Sequence, residues 1–348
     1  MSGLRLCPRR TGSTGSSVLT SFNIDENIQL TKLVASGNSL VTGVNVSTLT
    51  ALTHLDLNAC GLTALDVDSN VVLEYFDCSS NKLTALNVNN NVALAMFDCS
   101  DNQLSTIRVV NNTALDKLDL SKNNLLNVNV RSNTVLKILN VSDNAGIAAL
   151  ALGYNKVLET LEASNTALTD IDLSKNLEMK NLNLAGCSSM HILDVTKNVA
   201  LETLDVSLLV RLIVSKGLNS SIYKVGQYVS IDDDLGVVFY NTDAVVKIVS
   251  KDETTKTWSA AMTWCTAKGA AWYFPDLNEL TAVYNNKAKL NATLSSPTVG
   301  GTQLGTNYYW SSTEDSTKYA YYVDFSCGDS YYNGNKSSTY SVRAVRDL

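Results

Sequence analysis

The residues best suited to recognition crowd the carboxyl end. The stretch 307–348 reads NYYWSSTEDSTKYAYYVDFSCGDSYYNGNKSSTYSVRAVRDL and holds eight of the chain's 15 tyrosines, set among Ser, Thr, Asn, Asp and Gly. A tyrosine ring supplies rigid contact area at low entropic cost, and small polar neighbours supply adaptable hydrogen bonds, as in antibody contact loops. The chemistry implied is binding by burial, not bond making. Ordinary cross-strand pairing in a tyrosine-rich hairpin gives the same composition. Burying one such ring, roughly 150 Å² at about 25 cal/mol/Å², yields on the order of 4 kcal/mol. Association costs an estimated 4–15 kcal/mol, so three or four buried tyrosines offset it.

Other chemistries have thinner material. Seven cysteines are present without a C-x-x-C pair, and the only histidines are His54 and His191, so no metal site and no cofactor are expected. A formal charge of −6, with no run of Lys or Arg, argues against nucleic acid as a partner. No window of 18 apolar residues occurs, so no transmembrane segment is expected. Apolar residues make up 45% of the chain and mean hydropathy is +0.01, which fits a globular or repeat protein. Residues 1–27, basic and then rich in Ser, Thr and Gly, read as a disordered or tag-like N-terminus without the apolar core of a signal peptide.

Between Leu30 and about Val214 the chain repeats every 21 or 22 residues, in register at Leu52, Leu73, Leu94, Leu115, Leu136, Leu158, Met179 and Leu201. One unit, LEYFDCSSNKLTALNVNNNVA, contains two related halves, L-x-x-F-x-C-x-x-N and L-x-x-L-x-V-x-x-N. This is the leucine-rich-repeat pattern, in about eight units. A single unit cannot bury its apolar side, but stacked units share one core. The first half ends in Asn38, Cys60, Asn81, Asn102, Asn123, Asn144, Thr166 and Cys187. The second ends in Asn70, Asn91, Asn112, Asn133, Asn155, Asn176 and Asn198, and both columns are expected to satisfy backbone at the corners. Cys78 and Cys99 stand where a third inward Leu is expected, as small buried hydrophobes.

The 21-residue unit with Cys at that position resembles the cysteine-ladder repeats of bacterial internalin-type surface proteins. The resemblance implies an extracellular, non-catalytic protein. One column on the outer strand face, Asp56, Asp77, Asp98, Asp119, Asn140, Glu162, Asn183 and Asp205, offers secondary contacts to cations or basic partners. A solvated ladder that only blocks sticking has the same pattern.

The register fails at 208–212, composition shifts, and all four tryptophans follow, so the boundary is placed near Lys216–Ser221. Three domains of sequence result: 1–27, a solenoid over 28–216, and a ligand-binding domain over 217–348 whose variable part covers about 307–346. Strands are expected at Tyr223–Val229, Leu235–Tyr240, Val245–Ser250, Tyr308–Ser312, Tyr319–Ser326 and Ser341–Arg346. Helices are expected over Trp258–Lys268, with Thr257 as N-cap, and from Pro275, where Asp276 and Glu279 make a capping box. Alternation over Tyr321–Ser326 points Tyr321, Val323 and Phe325 inward and Tyr322, Asp324 and Ser326 outward. The expected fold class is a mostly β leucine-rich-repeat solenoid followed by an α+β domain, which a resemblance makes C-type lectin-like.

The lectin-like part of that expectation rests on a second resemblance. The order KIVS, WSAAMTWC, WYFPDLNEL, GGTQLGTNYYWSSTE and SVRAVR resembles the variable proteins of diversity-generating retroelements, which share the formylglycine-generating-enzyme type of the C-type lectin fold. In that family a mutagenic reverse transcriptase rewrites Asn-type codons near the gene's 3′ end. Apart from Lys318 and Lys336, every residue of 315–341 is of a type such codons reach. The resemblance implies that Trp310, Val323, Phe325, Val342 and Val345 are scaffold. It implies exposed, varied contacts at Tyr308, Tyr319, Tyr322, Asp324, Ser326, Asp329, Ser330, Tyr331, Tyr332, Asn333, Asn335, Ser337, Ser338 and Tyr340. The calcium motifs of sugar-binding lectins are absent. The fold's namesake oxidises cysteine with a thiol pair; here only Cys265 and Cys327 lie in this part, with no histidine, so no enzyme is expected. The expected protein is a non-catalytic adhesion or ligand-binding molecule, secreted or on the cell surface, binding an unknown protein or surface ligand through its diversified tail. The alternative is a leucine-rich-repeat adhesin that binds through the solenoid's acidic face.

Overall fold

A computed structural model describes residues 3–5, 24, 26–38, 43–207, 211–214, 218–231, 234–242 and 245–348. Most of the N-terminal segment expected to be tag-like, and residues 208–210 where the repeat register fails, lie outside the described residues. The chain divides into two compact units, 1–190 with 197–206, and 191–196 with 207–348.

The first unit is a parallel β-solenoid. Its sheet runs β1 (Gly3–Arg5), β2 (Lys32–Val34), β3 (His54–Asp56), β4 (Tyr75–Asp77), β5 (Met96–Asp98), β6 (Lys117–Asp119), β7 (Ile138–Asn140), β8 (Thr160–Glu162), β9 (Asn181–Asn183) and then Thr203–Asp205. Every strand is three residues long because only L-x-L of each repeat alternates. The middle residue (Leu55, Phe76, Phe97, Leu118, Leu139, Leu161) is fully buried, and its flanks reach solvent. Phe76 stacks on Phe97 at 5.4 Å between ring centres, so the aromatic pair continues the leucine column.

The asparagine columns do what their repetition predicts. Asn81 donates from Nδ2 to the carbonyls of Leu57 (2.9 Å) and Cys78 (2.8 Å), and its Oδ1 accepts from Cys60 N (3.1 Å) and Leu62 N (2.9 Å). In the second column Asn91 Nδ2 donates to Val67 O and Asn70 O, both at 2.9 Å, while its Oδ1 is buried without a partner. The residue before each first-column position turns through the left-handed region. Ala59, Ser80, Asp101, Lys122, Asp143 and Asn165 have φ between 52° and 58°, and Gly186 takes the same place at 76°. Non-glycine residues are held there at a cost of about 1–2 kcal/mol each, which the asparagine bonds beside them offset. Cys78 and Cys99 are buried thiols in the third inward position.

The second unit has two sheets. One has the order β10 (Ile192–Asp194), β12 (Arg211–Val214), β13 (Tyr228–Ile231), β14 (Asp234–Asn241), β15 (Val246–Ser250), β21 (Val345–Asp347), where β11 denotes Thr203–Asp205 of the first unit. The other has the order β16 (Thr254–Lys256), β20 (Tyr340–Val342), β17 (Tyr308–Glu314), β18 (Tyr319–Asp324), β19 (Ser330–Asn335). Among the described residues three α-helices accompany them: α1 (Trp258–Thr266), α2 (Leu277–Asn285) and α3 (Lys287–Leu294). Phe239, Val249, Leu280, Val283, Leu290, Tyr309, Val323, Phe325 and Val345 form one core.

Several local expectations shift. The strand expected over Tyr223–Val229 begins only at Tyr228, after a 3-10 turn at Ser220–Ile222. Thr257 precedes α1 in extended conformation but makes no side-chain cap bond, whereas Asp276 and Glu279 form the reciprocal capping box. The single strand expected over Ser341–Arg346 is divided into β20 and β21, which pair in different sheets. Helix α3 has no sequence signal, since KAKLNATL carries neither a cap bond nor a strong amphipathic face.

Candidate binding surface

Strands β17, β18, β19 and β20 bring four tyrosines together. Tyr322 stands at the centre, stacked on Tyr331 at 5.3 Å between ring centres, tilted against Tyr308 at 5.1 Å and edge-on to Tyr340 at 5.0 Å. Tyr308 and Tyr340 meet edge to face at 5.4 Å. Under them lies Trp310, fully buried, stacked on Tyr340 at 4.2 Å and perpendicular to Tyr322 at 6.2 Å. The buried ring thus holds the solvent-reaching rings by aromatic packing, each pair worth about 0.5–1.5 kcal/mol beyond its buried area. Gly334 permits this arrangement. A Cβ there meets Trp310 Cζ3 at 2.5 Å and Tyr322 Cδ1 at 2.8 Å, so any larger residue displaces one ring.

All fourteen residues implied by the resemblance reach solvent. Tyr308 (44% exposed), Tyr331 (39%) and Tyr332 (63%) are open, as are Tyr319, Ser326, Asp329, Ser330, Asn333, Asn335 and Ser337. Tyr322, Asp324, Ser338 and Tyr340 are half-buried. Tyr321 departs from the expected alternation: it is half-buried and tilted against Tyr332 at 6.4 Å. The pairing register of β18 and β19 shifts between Ala320 and Tyr322, and Ala320 takes the buried place. A bulge resets the two-residue period that the alternation assumes. The implied scaffold residues Trp310, Val323, Phe325, Val342 and Val345 are all buried.

Beside the rings opens a concavity of about 550 Å³, lined by Tyr308, Tyr340, Asp324, Ser326, Thr255 and Ser341 among others. Thr255 enters because β16 pairs with β20, a long-range register that no local sequence feature announces. Asp324 Oδ1 accepts from Ser326 Oγ (2.6 Å) and Ser326 N (2.8 Å). These bonds, with the Lys287 charge, hold its carboxyl below the usual range. Burial pushes the hydroxyls of Tyr322 and Tyr340 above the ordinary tyrosine value, so both remain neutral donors near pH 7.

Behind the surface, two arginines of S-V-R-A-V-R prove to be interior groups. Arg343 is fully buried; Nε donates to Glu253 Oε2 (3.2 Å), Nη1 to Ser250 O (2.8 Å) and Asp252 O (3.2 Å), and Nη2 to Thr302 O. Glu253 also accepts from Tyr309 Oη at 2.5 Å and Ser341 Oγ at 3.1 Å. Arg346, equally buried, pairs with Asp234. Charged residue types read as surface, and only tertiary partners reveal otherwise. Cys265 is buried, its thiol pushed up to about 12 by desolvation, while Cys327 is exposed with Sγ 3.5 Å from Asp329 Oδ2.

The acidic column of the solenoid is engaged locally. Asp77, Asp98 and Asp119 each accept from both N and Oγ of the serine two residues on (Ser79, Ser100, Ser121), closing small turns at 2.5–3.0 Å. Asn140 does the same toward Ser142 N and also donates to Asp119 Oδ2 at 2.9 Å. Desolvation first, then the Asp119 and Asp77 charges, lift the Asp98 carboxyl above its ordinary value against the Ser100 bonds. A carboxyl held high in the folded chain binds its proton more readily there. Its penalty is therefore present above the raised folded value and disappears as pH falls below the unfolded value of 3.8. Asp98→Asn is expected to raise stability at pH 7 by about 0.2–1 kcal/mol, the scale of a cross-strand charge pair. The gain should vanish near pH 3 in denaturant titrations; an equal gain at both values contradicts the charge explanation.

Comparison with known proteins bears on both units. Residues 232–346 match the family model described as the Lcl C-terminal domain. No curated protein matches the chain. Among solved structures, the functional domain of InlJ from Listeria monocytogenes, which includes a cysteine ladder, is 25% identical with a TM-score of 0.41, over 61% of this chain and 56% of that one. The leucine-rich-repeat protein LIC12759 from Leptospira interrogans is 19% identical (TM-score 0.38; 60% and 67% covered). The internalin InlF from Listeria monocytogenes is 15% identical (TM-score 0.34; 49% and 68% covered). The chain thus spans little more than half the length of the InlJ domain. Over 232–346, the stretch that includes the strands of the tyrosine surface and all three helices, it matches the Lcl C-terminal domain family, and it joins that region to a leucine-rich-repeat solenoid.

Proposed function

We propose that this is a non-catalytic adhesion or ligand-binding protein, secreted or held at a cell surface, that meets its partner through the tail of the second unit. The contact residues are Tyr308, Tyr322, Tyr331 and Tyr340 as the aromatic centre, with Tyr319, Asp324, Ser326, Asp329, Ser330, Tyr332, Asn333, Asn335, Ser337 and Ser338 around them. The observation that carries the reading is the contiguity of four solvent-reaching rings on the buried Trp310. Binding hot spots are enriched in such anchored aromatics. The tail is further proposed to be diversified by a retroelement. Its exposed positions carry Tyr, Ser, Asn and Asp, while the buried ones belong to the core or to the Glu253–Arg343 network. A reverse-transcriptase gene nearby, and a near-copy of the tail codons differing only at adenines, is the genomic expectation.

The binding test uses the full chain against a panel of immobilised proteins and whole cells. Changing Tyr322, Tyr331 and Tyr332 together to Ala is expected to weaken any captured interaction at least about 30-fold, the effect of one hot spot. Changing Asp77, Asp98 and Asp119 together to Asn should leave it intact. The opposite pattern moves the contact to the solenoid.

A further inference from the structure

The concavity beside the rings has a composition that selects among ligands. Its lining contains one carboxylate, Asp324, two tyrosine rings, Tyr308 and Tyr340, and hydroxyl or amide groups, with no cationic side chain. Asp324 spends Oδ1 on Ser326, and its carboxylate is the one charged group that borders the concavity. Lys287, the cation that acts on Asp324, is already engaged: its Nζ donates to Phe325 O at 2.8 Å and lies 6.0 Å from the Phe325 ring centre. The second carboxylate nearby, Glu253, sits behind Ser341 and is satisfied by Arg343 and Tyr309. Tyr308 and Tyr340, whose ring planes meet at 67°, border the same concavity as Asp324.

Aromatic rings beside a carboxylate attract a cation by ring quadrupole and charge together. We infer that this concavity accepts a single basic side chain, lysine or arginine, presented by a protein partner. The inference rests on the tail being the binding surface, and it adds the chemistry of one contact. Tyr322, Tyr331 and Tyr332 then supply the surrounding apolar area, and the basic side chain fixes register.

Saturation-transfer NMR on the full chain tests it, with acetylated and amidated tripeptides carrying lysine, arginine or glutamine at the centre. The expected result is saturation of the basic side-chain methylenes at millimolar peptide and none for the glutamine peptide. Asp324→Asn keeps the Oδ1 acceptor for Ser326 and should weaken the basic peptide at least tenfold; Tyr340→Ala should weaken it as well. Tyr154→Ala, exposed on the solenoid and outside the tail, should leave it unchanged. Absence of basic-peptide saturation overturns the inference, as does equal binding of the glutamine peptide or indifference to Asp324→Asn. If the glutamine peptide binds and is lost with Tyr340→Ala, the surface stands and only the cation preference falls. If any saturation is indifferent to every tail substitution, the tail reading falls as well. A simple methyl glycoside that saturates in place of the peptides also overturns it, assigning the concavity to sugar stacking.

Discussion

Arg343→Met should lower the stability of the second unit by roughly 3–5 kcal/mol, the penalty for removing one partner of a buried ion pair. The guanidinium serves Glu253 and three main-chain carbonyls from 250, 252 and 302. Methionine fills much of the volume but donates nothing, so Glu253 is left with Tyr309 and Ser341 as its only donors. All four tryptophans lie in this unit, so their emission in a denaturant titration reports it without contribution from the repeats. Arg343→Lys should fall between, since one ammonium cannot reach four acceptors placed around a planar fork. An unmoved tryptophan transition in Arg343→Met would falsify the assignment of this network as the clamp behind the tyrosine surface. What holds β20 and β17 in place lies below the exposed positions.

The second large effect belongs to the solenoid, and it differs between the two asparagine columns. Asn81→Ala strands the Leu57 carbonyl and the N–H groups of Cys60 and Leu62, while the Cys78 carbonyl keeps Asn102 Nδ2 at 3.0 Å. At about 1–3 kcal/mol for each buried group left unpaired, partly relieved by relaxation, the net loss should reach roughly 3–5 kcal/mol. Asn91→Ala removes two bonds to the Val67 and Asn70 carbonyls, which still accept from Asn70 N and Leu73 N, and an Oδ1 that had no partner; two net bonds of about 0.5–1.5 kcal/mol give roughly 1–3 kcal/mol. Asn90, exposed and bonded only to Asp68 O at 3.3 Å, should change stability by less than about 0.5 kcal/mol on replacement by Ala. Far-UV circular dichroism of the full chain under denaturant ranks the three. Equal losses at Asn81 and Asn90 would mean that the column's repetition records something other than backbone satisfaction.

How legible all this was depends on whether a feature repeats or stands alone. The solenoid could be read because its 21-residue period states the same constraint many times. The inward Leu and Phe, the two asparagine columns and the buried Cys78 and Cys99 are each the answer to one packing problem posed by every turn. The exposed tail was legible for a related reason. Tyr331, Tyr332, Asn333 and Ser337 fall in a stretch too polar to enter a core, and the buried Val323 and Phe325 alternate within their strand.

Single-copy features carried no such statement. Nothing in K-A-K-L-N-A-T-L announces α3, which is held by Leu290 and Leu294 in the core. The bulge that turns Tyr321 aside depends on how β19 pairs with β18, and pairing register is a relation between segments. The acidic residues at 77, 98 and 119 looked like free charge until their serines closed on them.

By itself the sequence determined the class of fold, the repeat's core and corners, and the place where exposed tyrosines accumulate, since periodicity and composition are local quantities. Only the tertiary structure decided that Arg343 and Arg346 are interior, that Tyr308, Tyr322, Tyr331 and Tyr340 share one surface on Trp310, and that Thr255 and Asp324 border the same concavity. Those facts depend on strand order, β16-β20-β17-β18-β19, in which neighbours are up to 88 residues apart (Thr254 and Val342). A long-range pairing is set by the summed burial of the whole unit, to which no single segment holds the key.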